Sequence, residues 1–128
     1  MTPIGRLSHI VVDCADPERL ARFWTDALGI EVAAHWNQYV ILTPTSEGAP
    51  ALAFQEVAEA KQTKNRVHID LEVADLEVAA AEVERLGGAV AAAVEEDGVA
   101  VRVATDPEGN EFCLVRKLAP LKRRRPGS

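Results

Sequence analysis

The sequence contains no long apolar run. Nothing in its 128 residues approaches the roughly 18 consecutive apolar positions that a membrane-spanning helix requires, and no charged stretch followed by an apolar one opens the chain. No membrane partner is expected, and a cytoplasmic protein is predicted. Cysteine is scarce as well. Cys14 and Cys113 stand far apart inside apolar, strand-like runs, which argues against a disulfide framework and for reduced, buried thiols. With 8 Gly and 7 Pro the chain has too little of either for a fibrous or disordered protein. Familiar catalytic signatures are missing too. There is no nucleophile elbow, no phosphate-binding Gly-Lys loop and no dinucleotide fingerprint, so hydrolase, kinase and dehydrogenase readings lose support.

What remains is the composition of an ordinary globular domain, 48% hydrophobic and 27% charged, with one compact domain as the expectation. The net charge is -6 although four of the fourteen basic residues are packed into Lys122, Arg123, Arg124 and Arg125. The body is therefore acidic, which argues against nucleic acid as a partner, and the basic run beside Pro126 and Gly127 reads as a solvated tail.

The chain says the same thing twice. In the first half LSHIVVDC reads as a strand, Asp16 caps a helix with Pro17 at its first position, and Leu20, Phe23, Trp24, Ala27 and Leu28 form an apolar stripe that stops at Gly29. In the second, RVHIDLEV reads as a strand, Asp75 caps, and Leu76, Ala79, Val83 and Leu86 supply a stripe that stops at Gly87 and Gly88. Three strand candidates follow each helix: 30–35, 39–43 and 51–57, then 90–94, 99–104 and 111–115. The turn signals WNQ, EEDG and DPEGN fall between them. Each half is thus βαβββ. The first repeat covers about 5–57, a linker about 58–65, the second repeat about 66–117, and the tail 118–128.

Strand alternation then sorts the side chains. Val67, Ile69, Leu71 and Val73 form an apolar row suited to lie under the helix, and Arg66, His68, Asp70 and Glu72 form the opposite row. In the first strand Ile10, Val12 and Cys14 face the helix, leaving His9, Val11 and Asp13 on the other side. His9 and His68 therefore hold equivalent places. A sheet face carrying such groups reads as the lining of a cleft, because unpaired buried charge is costly. Either histidine alone has a plain structural reading. Duplication of the register raises a metal reading, since two imidazoles from neighbouring strands supply half of a tetrahedral or octahedral shell. Gln55 and Asp70 are candidate ligand-binding groups on the same faces, and Trp36 and Tyr39, flanking a hairpin, could stack on an aromatic ligand. Phe23 and Trp24 read as core, and His35 as exposed.

At these residues a resemblance emerges. The paired βαβββ units, DCADPERLARFWTDALG, RVHIDLEV and DPEGNEFCLV resemble the vicinal oxygen chelate superfamily of glyoxalase I, bleomycin-resistance proteins and extradiol dioxygenases, over Leu7 to Arg116, and more narrowly its small glyoxalase-like proteins. The resemblance implies an α+β fold whose two repeats form a half-open curved sheet with helices packed outside, and a homodimer. Metal-binding members draw ligands from the first and last strands of each repeat. By that pattern His9 and His68 match the first-strand positions, whereas the last-strand positions, commonly glutamate in glyoxalase I, fall on Ala53 and Cys113. Ala53 offers no donor. Cys113 offers a thiolate, so that His9, His68 and Cys113 would form the metal set, with Glu111 on the same face by alternation; equally, Cys113 reads as a small core or cleft residue. The implied cofactor is none or one divalent metal, with Zn, Ni, Fe and Mn not distinguished. The expected function is small-molecule binding of the bleomycin-resistance kind, with His9, Trp36, Gln55, His68, Asp70 and Cys113 as ligand-binding residues. Its alternatives are a metal-dependent lyase, isomerase or dioxygenase built on His9 and His68, and a metal-free enzyme using one of them as general base.

Overall fold

A computed structural model describes residues 3, 6–63, 65, 67–96 and 98–117; Arg66, Asp97 of the EEDG turn and the basic tail 118–128 lie outside the described residues. The chain divides into two compact units, residues 1–63 and 64–128, each built as one βαβββ repeat. The α+β class and the duplicated grammar are therefore as expected, and each unit has its own open sheet.

The first unit runs β1 (His9–Cys14), α1 (Pro17–Leu28), β2 (Val32–Trp36), β3 (Tyr39–Leu42) and β4 (Ala51–Glu56), with sheet order β1-β4-β3-β2. β1 and β4 pair in parallel, which two strands can do only when a long connection intervenes, here α1 and the β2–β3 hairpin. The local signals set the helix ends. Asp16 accepts a hydrogen bond from the Arg19 N–H (3.2 Å), Pro17 starts the helix, and Gly29 ends it at φ 67°, a left-handed conformation natural to glycine. Leu20, Phe23 and Trp24 are buried, as are Val40, Leu42 and Phe54 of the sheet that α1 packs upon. Burial of each such side chain contributes about 1.5–3 kcal/mol. The rings of Phe23 and Trp24 meet edge to face with centroids 5.2 Å apart. Cys14 is buried at the end of β1, its Sγ 3.5 Å from the Gln55 carbonyl.

The second unit runs β5 (Asp70–Glu72), α2 (Leu76–Arg85), β6 (Ala89–Val90), β7 (Val94–Glu96), β8 (Val99–Thr105) and β9 (Glu111–Lys117). Its sheet order is β5-β9-β8-β6, with β7 also on β8, and β5 is parallel to β9. Asp75 caps α2 by accepting from the N–H groups of Glu77 (2.9 Å) and Val78 (3.1 Å). On the solvent side of α2, the hydrogen bond from Arg85 holds the Glu82 carboxyl below the usual carboxylate range.

Two expectations change. The strand expected over 90–94 is two short runs, because the register against β8 shifts by one residue between Val90 and Val94. Ala91 still donates to the Val103 carbonyl (2.8 Å), and Arg102 Nε donates to the Ala91 carbonyl (2.8 Å) while its Nη1 reaches the Glu77 carboxylate (3.1 Å). One arginine thus ties the bulge to the first turn of α2. β2 shifts register on β3 in the same way between Val32 and Ala34, so the bulge belongs to both halves. The stretch RVHIDLEV places only Asp70–Glu72 in the ladder, and Val67 is 75% exposed, not under the helix. The cause lies at the start of β9. Asn65 gives its backbone N–H to the Glu111 carboxylate (3.2 Å) and its side-chain amide to the Glu111 carbonyl (3.0 Å), the acceptor that the Ile69 N–H would use in a longer ladder.

The DPEGN turn is held by Asp106, which is buried. Its carboxylate accepts from the N–H groups of Glu108 (2.9 Å) and Asn110 (3.0 Å) and from the Asn110 amide (3.0 Å), with Gly109 at φ 82°. Removing the carboxylate strands these donors. Asp106→Ala should therefore lower unfolding free energy by about 3 kcal/mol in urea titration, and a loss near zero would contradict this account. Gly88 marks another close approach: a Cβ there would stand 2.4 Å from the Thr105 carbonyl oxygen and 2.8 Å from Val83 Cγ1. Gly88→Ala is expected to cost about 1–3 kcal/mol by forcing α2 away from β8, read as a lower urea midpoint.

Candidate functional site

In each unit the helix packs on one face of the sheet, and the register decides what the opposite face carries. In the first unit β1 and β4 align His9 with Ala51, Val11 with Ala53 and Asp13 with Gln55; Gln55 and Ala53 are in turn opposite Tyr39 and Ile41 of β3. His9 is exposed, with Nδ1 3.0 Å from Ser8 Oγ. Gln55 is half-buried. Trp36, 62% exposed, stacks on Tyr39 with centroids 5.6 Å apart and planes 21° apart, so each ring already has an aromatic neighbour. The turn between them uses Asn37 at φ 51°, a conformation asparagine tolerates. His35 is exposed, as expected, and lies on the helix side, where Nε2 meets Glu18 at 2.8 Å.

The second unit gathers more chemistry. β5 and β9 align Asp70 with Cys113 and Glu72 with Val115, and β8 continues the face with Val103 opposite Cys113 and Val101 opposite Val115. Neighbouring strands lie about 4.8 Å apart, which puts directly opposed residues of one face within reach of each other. The Cys113 N–H donates to the Ile69 carbonyl (2.9 Å), so pairing carries on toward His68. His68 Nε2 lies 3.4 Å from Asp70 Oδ1, with both side chains more than half exposed. Between exposed groups this attraction contributes at most about 1 kcal/mol to the fold. One donor atom from each of His68, Asp70 and Cys113 lies within 4.8 Å of the others. Together with Glu72, Val99, Val101 and Val115 they line a hollow of about 530 Å³.

The structure thus brings His68, Asp70 and Cys113 together, while His9, Trp36 and Gln55 belong to the first unit. The positions matching the trio in that unit are His9, Val11 and Ala53, of which only the histidine has a donor side chain. Neither cysteine forms a disulfide. The valine floor of the hollow was not singled out from sequence, although the alternation VAVRV contained the signal: Val99 and Val101 share a face opposite Ala100 and Arg102. Among the described residues no helix is long and apolar enough to cross a membrane.

Comparison with known proteins accords with this layout. A protein-family profile described as a glyoxalase-like domain matches residues 9–115. No curated protein matches the chain. Among solved structures, a glyoxalase/bleomycin resistance protein/dioxygenase family enzyme from Burkholderia phytofirmans PsJN is similar, with a TM-score of 0.73 and 16% identity over 89% of this chain and 100% of that one. A glyoxalase-related enzyme from Fulvimarina pelagi gives 0.66 at 19% identity, covering 88% of each chain. The fosfomycin resistance protein FosX from Mesorhizobium loti gives 0.68 at 18% identity, over 90% of this chain and 93% of that one. At these identities the structural likeness shows the fold alone. Duplicated βαβββ units with first and last strands parallel, and a profile match spanning most of the chain, place this protein in the glyoxalase-like domain family of the vicinal oxygen chelate superfamily.

Proposed function

We propose that this protein binds a small molecule in the hollow over β5, β8 and β9. The observation that carries this reading is the lining. Val99, Val101 and Val115 give an apolar floor, and His68, Asp70, Glu72 and Cys113 give a polar end, in a space of about 530 Å³. Small-molecule sites combine such an apolar wall with a few converging polar groups in a similar volume. A ligand with an apolar body and a head bearing hydrogen-bond donors fits this division, because both carboxylates accept.

The four-position metal set implied by the family pattern does not fit this chain. Ala53 has no donor, and the first unit matches the second unit's Asp70 with Val11. A second reading, a metal-free enzyme, draws on the His68–Asp70 pair: an imidazole oriented by a carboxylate 3.4 Å away is placed to take a proton from a bound ligand.

Screening a small-molecule fragment library by amide chemical-shift mapping tests the proposal. Binders should perturb residues around His68, Asp70, Val101, Cys113 and Val115, and Val101→Trp, which fills the hollow, should weaken them more than tenfold while leaving the urea midpoint close to wild type. Hits confined to Trp36 and Tyr39, or unaffected by Val101→Trp, would contradict it.

A further inference from the structure

We infer that the second unit holds a divalent cation of the zinc type by itself, through the His68 imidazole, the Asp70 carboxylate and the Cys113 thiolate. The inference rests on the hollow proposed above as the ligand site and adds an ion at its polar end. It differs from the arrangement that the family resemblance implies, where donors come from the first and last strands of both repeats. Here one repeat supplies everything, and the third donor, Asp70, lies two residues beyond the first-strand histidine.

Geometry supports this first. Bond lengths of about 2.0–2.3 Å to a tetrahedral zinc put neighbouring donor atoms about 3.3–3.8 Å apart. The three donor atoms lie within 4.8 Å of one another, and His68 and Asp70 are more than half exposed. Closing a gap of about 1 Å then needs only side-chain rotation. The backbone is already committed, because the parallel register sets Asp70 opposite Cys113.

The donor set points to the ion. One nitrogen, one carboxylate oxygen and one sulfur suit zinc, whereas calcium and magnesium favour all-oxygen shells. A dication also offsets the negative charge that Asp70 and a thiolate bring together, with Glu72 next in the row. On binding, the Cys113 S–H proton leaves to solvent as the sulfur–metal bond forms, and metal-bound waters are displaced, with no change of oxidation state. Three protein ligands would leave one position of a tetrahedral shell to water or a bound ligand.

The duplication supplies an internal comparison. The same scaffold in the first unit carries His9, Val11 and Ala53 at the corresponding positions, one donor in place of three. A single ion, held by the second unit, is therefore expected.

The test uses the full chain without a histidine tag, stripped by chelator and dialysed against a limited excess of zinc. Wild type should retain one equivalent by elemental analysis. His68→Ala, Asp70→Asn and Cys113→Ser should each lower zinc affinity on the order of 100-fold or more, since loss of outer-shell partners alone costs about 10–100-fold. His9→Ala should retain the equivalent. Cobalt substituted for zinc should give a near-ultraviolet thiolate charge-transfer band that disappears in Cys113→Ser. Far-ultraviolet circular dichroism checks that each variant is folded, the half-buried Cys113→Ser above all. Substoichiometric zinc in wild type, full retention by Asp70→Asn or Cys113→Ser, or loss in His9→Ala comparable to that in His68→Ala would overturn the inference. Fragment binding by the chelator-stripped protein is measured separately, so that loss of the ion site and loss of the ligand site are told apart.

Discussion

Everything in this protein hangs on one kind of contact, the parallel pairing of the first strand of each repeat with its last. Parallel neighbours cannot be joined by a tight turn, so each repeat must send its chain through a helix and an antiparallel hairpin before returning. That return covers one sheet face with the helix and leaves the other available. It also fixes which side chains share the open face, since a one-residue slip would turn every one of them over. Asp70 and Cys113 meet for this reason alone: they are 43 positions apart in the sequence and directly opposite in the register.

The two repeats use the same backbone plan to different ends. Both carry a capped helix, a bulged third element and an open face beginning with a histidine. In the first repeat that face continues through Val11, Ala51 and Ala53 to the stacked Trp36 and Tyr39. In the second it continues through Asp70, Glu72 and Cys113 to a row of valines. The buried sides are alike, with Phe54 and Phe112 both almost fully enclosed on the last strand of their sheets. Packing keeps the duplicate cores similar, while the open faces, which do not have to fill a core, are free to diverge.

The parts legible from sequence were the parts whose causes are local. Asp16 with Pro17, Asp75, Gly29 and the DPEGN turn act on neighbours within a few residues, and their elements lie where the pattern puts them. The alternation that sets His9 and Asp13 apart from Ile10 and Cys14 is equally local. The bulge between β6 and β7 was not legible, since it depends on counting residues against β8 and on Arg102 reaching Ala91. The shortness of β5 depends on Asn65 holding Glu111, 46 positions away. For the site, His68, Asp70 and Cys113 were each visible as candidates, and so was the shared face of His68 and Asp70. That Asp70 stands directly opposite Cys113 required the register.

The most direct test of this account is a set of proton–proton nuclear Overhauser contacts from the Cys113 side chain in isotope-labelled protein. The register and facing described here predict contacts from the Cys113 Hβ protons to Asp70 and to the methyl groups of Val103. Contacts instead to Leu76, Ala80 and Val83, the buried side of α2, would mean that β9 presents the opposite face, and the hollow with all its assigned chemistry would be lost.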